Sequence, residues 1–129
     1  VIKGSATTVS GGGVTFIPAK ITVNTMKDTE VSDPTAYNLI LVGGPCADPL
    51  VERVSGLGVG CGAWPLSPGE AMLKLGNNGD KVALLIAGTD AADTRMAAKV
   101  FSDFEDYKLS GAQVVLAGSV NAPTVKSRA

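Results

Sequence analysis

The sequence predicts a single α/β (α+β) domain, a mixed β-sheet of about five strands with two helices packed on it. Three observations carry this expectation. Leu39 to Val42 and Val82 to Ala87 are continuous apolar runs of strand length bounded by turn residues. Asp90 to about Asp106 places apolar residues at helical spacing. The segments follow the order β, β, α, β, β, α, β, which favours a mixed sheet with helices on its faces. A chain of 129 residues suits one core, burying roughly two-thirds of its unfolded surface.

Taken in order, Val1 to Gly13 is rich in Ser, Thr and Gly and reads as a flexible N-terminal arm. Val14, Phe16, Ile17, Ile21 and Val23 are β-formers interrupted by Pro18, predicting one kinked edge strand or two short ones. A polar interval, Asn24 to Thr35, leads to Leu39-Ile40-Leu41-Val42, the pattern of a central strand covered on both faces. Gly43-Gly44-Pro45 stops it. Asp48-Pro49 supplies a cap and a first helical residue, and Leu50, Val51 and Val54 form the short apolar face of a helix of one to two turns. Ser55 to Gly69 is an irregular Gly-rich loop carrying Trp64.

Glu70 to Leu75 alternates as a strand, Asn77-Asn78-Gly79-Asp80 turns the chain, and Lys81 to Ala87 returns as the second strand of a hairpin. In the long helix Asp90 is the cap, Asp93 lies in the dipole-favoured first turn, and Ala97, Val100, Phe101 and Phe104 form the buried face. Leu109-Ser110-Gly111 turns into a last strand, Gln113 to Ala117. The expected organisation is thus an arm over 1–13, a domain over 14–118 and a polar C-terminal tail over 119–129.

Composition excludes several function classes. A net charge of −1 with 45% apolar residues gives no electrostatic footprint for nucleic acid. No apolar stretch approaches the roughly 20 residues of a transmembrane helix. The sequence begins at Val1 without a signal-like stretch, which reads as a processed form or a piece of something longer. There is no His, so the commonest general base and metal ligand are both missing. Without His or a GxSxG turn no serine has a conventional activating base, although a Ser-Lys pair stays open. No catalytic, cofactor-binding or metal-ligating residue is assigned. No Asn-x-Ser/Thr sequon occurs, so Thr7, Thr8 and Ser10 would be the candidates for an O-linked glycan.

Three motifs have both a functional and a structural reading. Cys46 and Cys61 flank the Gly-rich segment. An intramolecular disulfide is the leading reading, and two buried thiols in a reducing compartment are the alternative; the spacing makes neither a zinc site nor a CxxC redox centre. Gly43-Gly44-Pro45 between strand and helix has the topology of a phosphate-binding turn, but Pro45 lacks an N–H, Asp48 occupies the anion position and neither GxGxxG nor GxxxxGK[ST] can be written. Asp90, Asp93, Asp103, Glu105 and Asp106 cluster about the long helix. Helix capping and an Asp103–Lys99 pair account for them, and calcium at these loop carboxylates is the one cofactor left open.

Read together, Tyr37-Asn38-Leu39-Ile40-Leu41-Val42-Gly43-Gly44-Pro45-Cys46, Pro68-Gly69-Glu70-Ala71-Met72-Leu73-Lys74-Leu75, Val82-Ala83-Leu84-Leu85-Ile86-Ala87-Gly88 and Asp93-Thr94-Arg95-Met96-Ala97-Ala98-Lys99-Val100 resemble a block of archaeal surface-layer proteins. Thr29-Glu30-Val31 before it and Leu109-Ser110-Gly111 after it resemble the flanking segments. The resemblance covers residues 20–117 and implies an extracellular, non-enzymatic lattice protein whose partner is itself. Members are usually longer, with further domains. The β-capable ends suggest strand exchange between copies, through Ile2 and Val9 at one end or Val120 and Val125 at the other. A cell-surface adhesion module, binding glycans or another cell, is the second reading; a nucleotide-binding enzyme rests only on the turn after Val42.

Overall fold

The structure, a computed structural model, describes residues 4–10, 13–19 and 23–129, with side chains from residue 23 onward. Among the described residues seven strands form two sheets. β1 (Gly4–Ser10) and β2 (Gly13–Ala19) pair antiparallel as a separate two-stranded sheet. β3 (Leu39–Val42), β4 (Glu70–Asn78), β5 (Lys81–Gly88), β6 (Gln113–Ser119) and β7 (Ala122–Arg128) form the main sheet in the order β3-β5-β4-β6-β7. Only β3–β5 is parallel; the rest pair antiparallel. The sheet is therefore mixed, with five strands.

The predicted hairpin of β4 and β5 forms around Gly79 and Asp80, with Asn78 opposite Lys81. Asn78 is buried, and its Nδ2 donates to the carbonyls of Pro34 at 2.7 Å and Tyr37 at 2.8 Å. Thus the turn also anchors the chain entering β3. Helix α2 (Ala91–Ser102) lies across β5, β4 and β6. Met96, Ala97 and Val100 pack with Leu73, Ile86, Val114 and Leu116 into one half of the core. The other face of the sheet presents Leu41, Ala83, Leu85 and Met72 to the short helix α1 (Leu50–Arg53) and the 3₁₀ turn after it, through Leu50, Val51, Val54 and Leu57. Burying side chains of this size contributes roughly 1.5–3 kcal/mol each, enough to hold even a four-residue helix in place.

Four expectations need correction. Leu39–Val42 is an edge strand, not a central one, and Ile40 and Val42 are exposed. α2 stops at Ser102, short of Asp106, and Phe104 is exposed. Asp103, Glu105 and Asp106 would sit at the negative end of the helix dipole, which disfavours continuation. Lys99 does not reach Asp103; its Nζ donates to the Val120 carbonyl at 3.0 Å. Finally, both ends are β-structure. The stretch 1–13 contributes β1, with residues 1–3, 11 and 12 outside the described residues, and β2 runs through Pro18, as any strand of a two-stranded sheet can when the proline nitrogen faces outward. Ile21 of the predicted first strand also lies outside the described residues, while Val23 is described but in no strand. The stretch 119–129 is β7, in which half-buried Pro123 and Val125 alternate with exposed Thr124 and Lys126.

Candidate functional site

Two surfaces gather the residues of interest: a crevice where β3 and β5 end, and the open sheet face beside β3. At the crevice the chain leaves β3 through Gly43-Gly44-Pro45, and the Gly44 carbonyl accepts the N–H groups of Ala47 at 3.0 Å and Asp48 at 2.9 Å, closing the strand-to-helix turn. Cys46 and Cys61 are joined by a disulfide, their Cα atoms 4.6 Å apart. Glu52 Oε1 accepts the Cys61 N–H at 2.6 Å. Trp64 Nε1 donates to Thr89 Oγ1 at 3.0 Å, and that hydroxyl donates onward to the Ser67 carbonyl at 2.8 Å. Covalent and polar ties thus fasten a loop too rich in glycine to hold itself.

The crevice, about 320 Å³, is lined by Gly43, Gly44, Pro45, Trp64, Asp90 and Thr94 among others. It lies at the carboxyl ends of parallel strands, where open α/β sheets hold ligands. Its electrostatics oppose an anion. The buried Asp93 places Oδ2 against the N–H groups of Gly69 at 3.0 Å and Asp90 at 3.3 Å, so a carboxylate of the chain itself occupies the positive end of α2. Asp48 Oδ1 accepts the Leu50 N–H at 3.0 Å, filling the corresponding position at α1. The Asp90 carboxyl is held above the usual range, first by its hydrogen bond with the Asp93 side chain, then by desolvation and repulsion from Asp93. Burial raises Asp48, the Leu50 N–H opposes that, and Asp28 adds repulsion. Asp103, Glu105 and Asp106 lie exposed beyond α2. Among the described residues no three His, Cys, Asp or Glu side chains converge.

The second surface was not legible in the sequence. Residues paired across the register share a face, so Ile40, Leu84 and Leu75 lie side by side, as do Val42, Ile86 and Leu73. α2 covers the second row at Ile86 and Leu73 but not the strip nearest β3. Ile40 is 40% exposed, Val42 57%, Leu75 49% and Val82 46%. With Val23, Met26 and Tyr37 they border a groove of about 1190 Å³ along β3. Apolar patches of this kind on a folded domain mark interaction surfaces. The uniform LILV run looks the same whether one face or both are covered, and the apolar Met26 within the polar interval and Tyr37 just after it were the only local signal.

No helix among the described residues is long and apolar enough to cross a membrane. Searches of curated proteins and of solved structures gave no match. The family described as S-layer like family, outer domain, matches residues 7–104, most of the chain and both surfaces just described. With this match over strands β3, β4 and β5 and helices α1 and α2, the chain belongs to the S-layer like family, as its outer domain, and has a surface-layer-related structural role.

Proposed function

We propose that this chain is a secreted, non-enzymatic structural subunit, or domain of one, that assembles with copies of itself into an archaeal surface layer or a related cell-surface filament. The family match over residues 7–104 carries the reading. Two features support it. The Cys46–Cys61 disulfide fits an oxidising, extracellular compartment, and the apolar strip beside β3 offers a surface for association. The purified chain in oxidising buffer is expected to sediment as large, concentration-dependent assemblies; a single monomeric boundary at every concentration would contradict the proposal. Strand exchange through residues 1–13 belongs to the proposal as one route, and unchanged assembly after their deletion would remove it. The route through residues 119–129 would have to exchange β7, which pairs with β6 within the chain, and unchanged assembly after deletion of 119–129 would remove it. Assembly needs no cofactor in this reading, and a shift of the melting temperature on calcium titration would instead assign calcium to the loop carboxylates.

One observation favours a second reading, adhesion. Trp64, half-buried beside Pro45 and Asp90 in the crevice, offers an aromatic surface and a carboxylate of the kind that hold a sugar ring. Oligosaccharides that stabilise a persistently monomeric chain would establish it.

A further inference from the structure

We propose that the outer edge of β3 is a two-fold contact between copies, in which β3 pairs antiparallel with β3 of a second copy and the two main sheets become continuous. This rests on the self-assembly proposed above and adds where it occurs. The Gly43 N–H donates to the Ile86 carbonyl of β5 at 2.9 Å. Backbone groups alternate along a strand, so Leu41 and Leu39 also turn theirs to β5 while Ile40 and Val42 direct theirs outward. Among the described residues β3 pairs with β5 alone. An unpaired, apolar edge of this sort is a template for another strand, and proteins that do not use such an edge guard it with charge or proline.

The opposite edge is guarded. β7 carries Pro123, Lys126 and Arg128. Pairing β7 with β7 would oppose like charges, and pairing β3 with β7 would set lysine and arginine against an apolar strand. β3 with β3 has neither defect. Placing Leu41 opposite its symmetry mate pairs Ile40 with Val42 twice, and these are the residues whose amides and carbonyls face outward, so both pairs exchange hydrogen bonds in the antiparallel pattern. The same operation brings the exposed Ile40, Val42 and Leu75, with the half-buried Leu84 between them, together with their mates on one face. A closed two-fold contact uses one patch on both copies, and a lattice-forming family makes the occupant another copy.

Sedimentation velocity and hydrogen exchange on the purified chain test this. The outward amides of Ile40 and Val42 should become protected as concentration rises, while β7 amides should not change. Ile40→Lys/Val42→Lys, at positions exposed in the subunit, should keep the monomer's melting temperature and weaken association at least tenfold. Thr124→Lys on β7 should associate like the parent. If the parent assembles and the double variant assembles equally well, the contact is elsewhere and the inference fails while the proposed function stands. Protection of Ile40 and Val42 that disappears when residues 1–19 are deleted would assign the edge to the N-terminal hairpin and overturn the two-fold pairing. A parent that never assembles overturns both. Should the double variant misfold, the exchange pattern of the parent decides alone.

Discussion

At the scale of the residue, the domain depends on close backbone approaches as much as on apolar side chains. A Cβ on Gly88 would lie 2.3 Å from the Asp93 carbonyl carbon and the Thr94 nitrogen, both backbone atoms at the start of α2. Gly88→Ala should therefore push α2 from the sheet and cost about 3 kcal/mol in chemical denaturation, the upper range for overpacking. Gly62→Ala, where nothing lies within 4 Å, should change stability little. Gly56 repeats the logic where the turn after α1 crosses β4, since its Cβ would meet the Asn77 carbonyl oxygen. Titration adds a second residue-level test. An acid whose pKa is raised by folding bears its charge at a cost above that pKa, and the cost vanishes as pH falls through it. Asp48 and Asp90 are of this kind, so they favour the fold on acidification. Glu70 is the opposite: its hydrogen bond from Lys126 and the Ser67 N–H lower it, and that contribution is present above its unfolded pKa and lost as pH falls through the folded one. Asp48→Asn keeps an oxygen for the Leu50 N–H and removes the desolvated charge. Melting at pH 7 should rise slightly, with a flatter response toward about pH 4; a lower melting temperature at pH 7 would show that burial is not what raises Asp48.

At the scale of the element, the disulfide and its neighbours do for the loop between β3 and β4 what regular structure does elsewhere. Replacing both Cys46 and Cys61 with Ser should cost roughly 3 kcal/mol, the chain-entropy value for a loop of about 15 residues, and should raise hydrogen exchange in 46–69 while β4 and β5 stay protected. The same loop shows what sequence can and cannot convey. The cysteine pair, the hairpin turn, the two apolar runs and the start of α2 were legible, because each rests on local chemistry: spacing, turn residues, periodicity or a cap. Sheet order was not local. Leu39–Val42 reads as a buried strand because its side chains are apolar on both sides, yet its place in the sheet follows from a parallel pairing with β5 some 44 residues on. β7 was hidden for the converse reason, since an edge strand needs only Pro123 and Val125 inward and is otherwise polar. Arg128, donating to the carbonyls of Tyr107 and Lys108, and Ala129, bonded through its backbone to Gln113, secure it by contacts no window of sequence displays.

At the scale of the whole molecule, the two edges of the main sheet differ in a way that gives the domain a direction. One carries charge and proline; the other, paired among the described residues with β5 alone, is continuous with an apolar strip that α2 leaves open. A domain with one guarded edge and one open edge can associate through the open one without aggregating through the other, and the closed two-fold contact there makes a dimer that further contacts build into a layer. That asymmetry, on a disulfide-fastened body of the S-layer like family, is the physical basis for reading the chain as a building unit. Electron microscopy of the purified chain in oxidising buffer tests this most directly. The account predicts regular sheets or filaments whose order is lost in Ile40→Lys/Val42→Lys; particles that stay single and monodisperse at every concentration would contradict it.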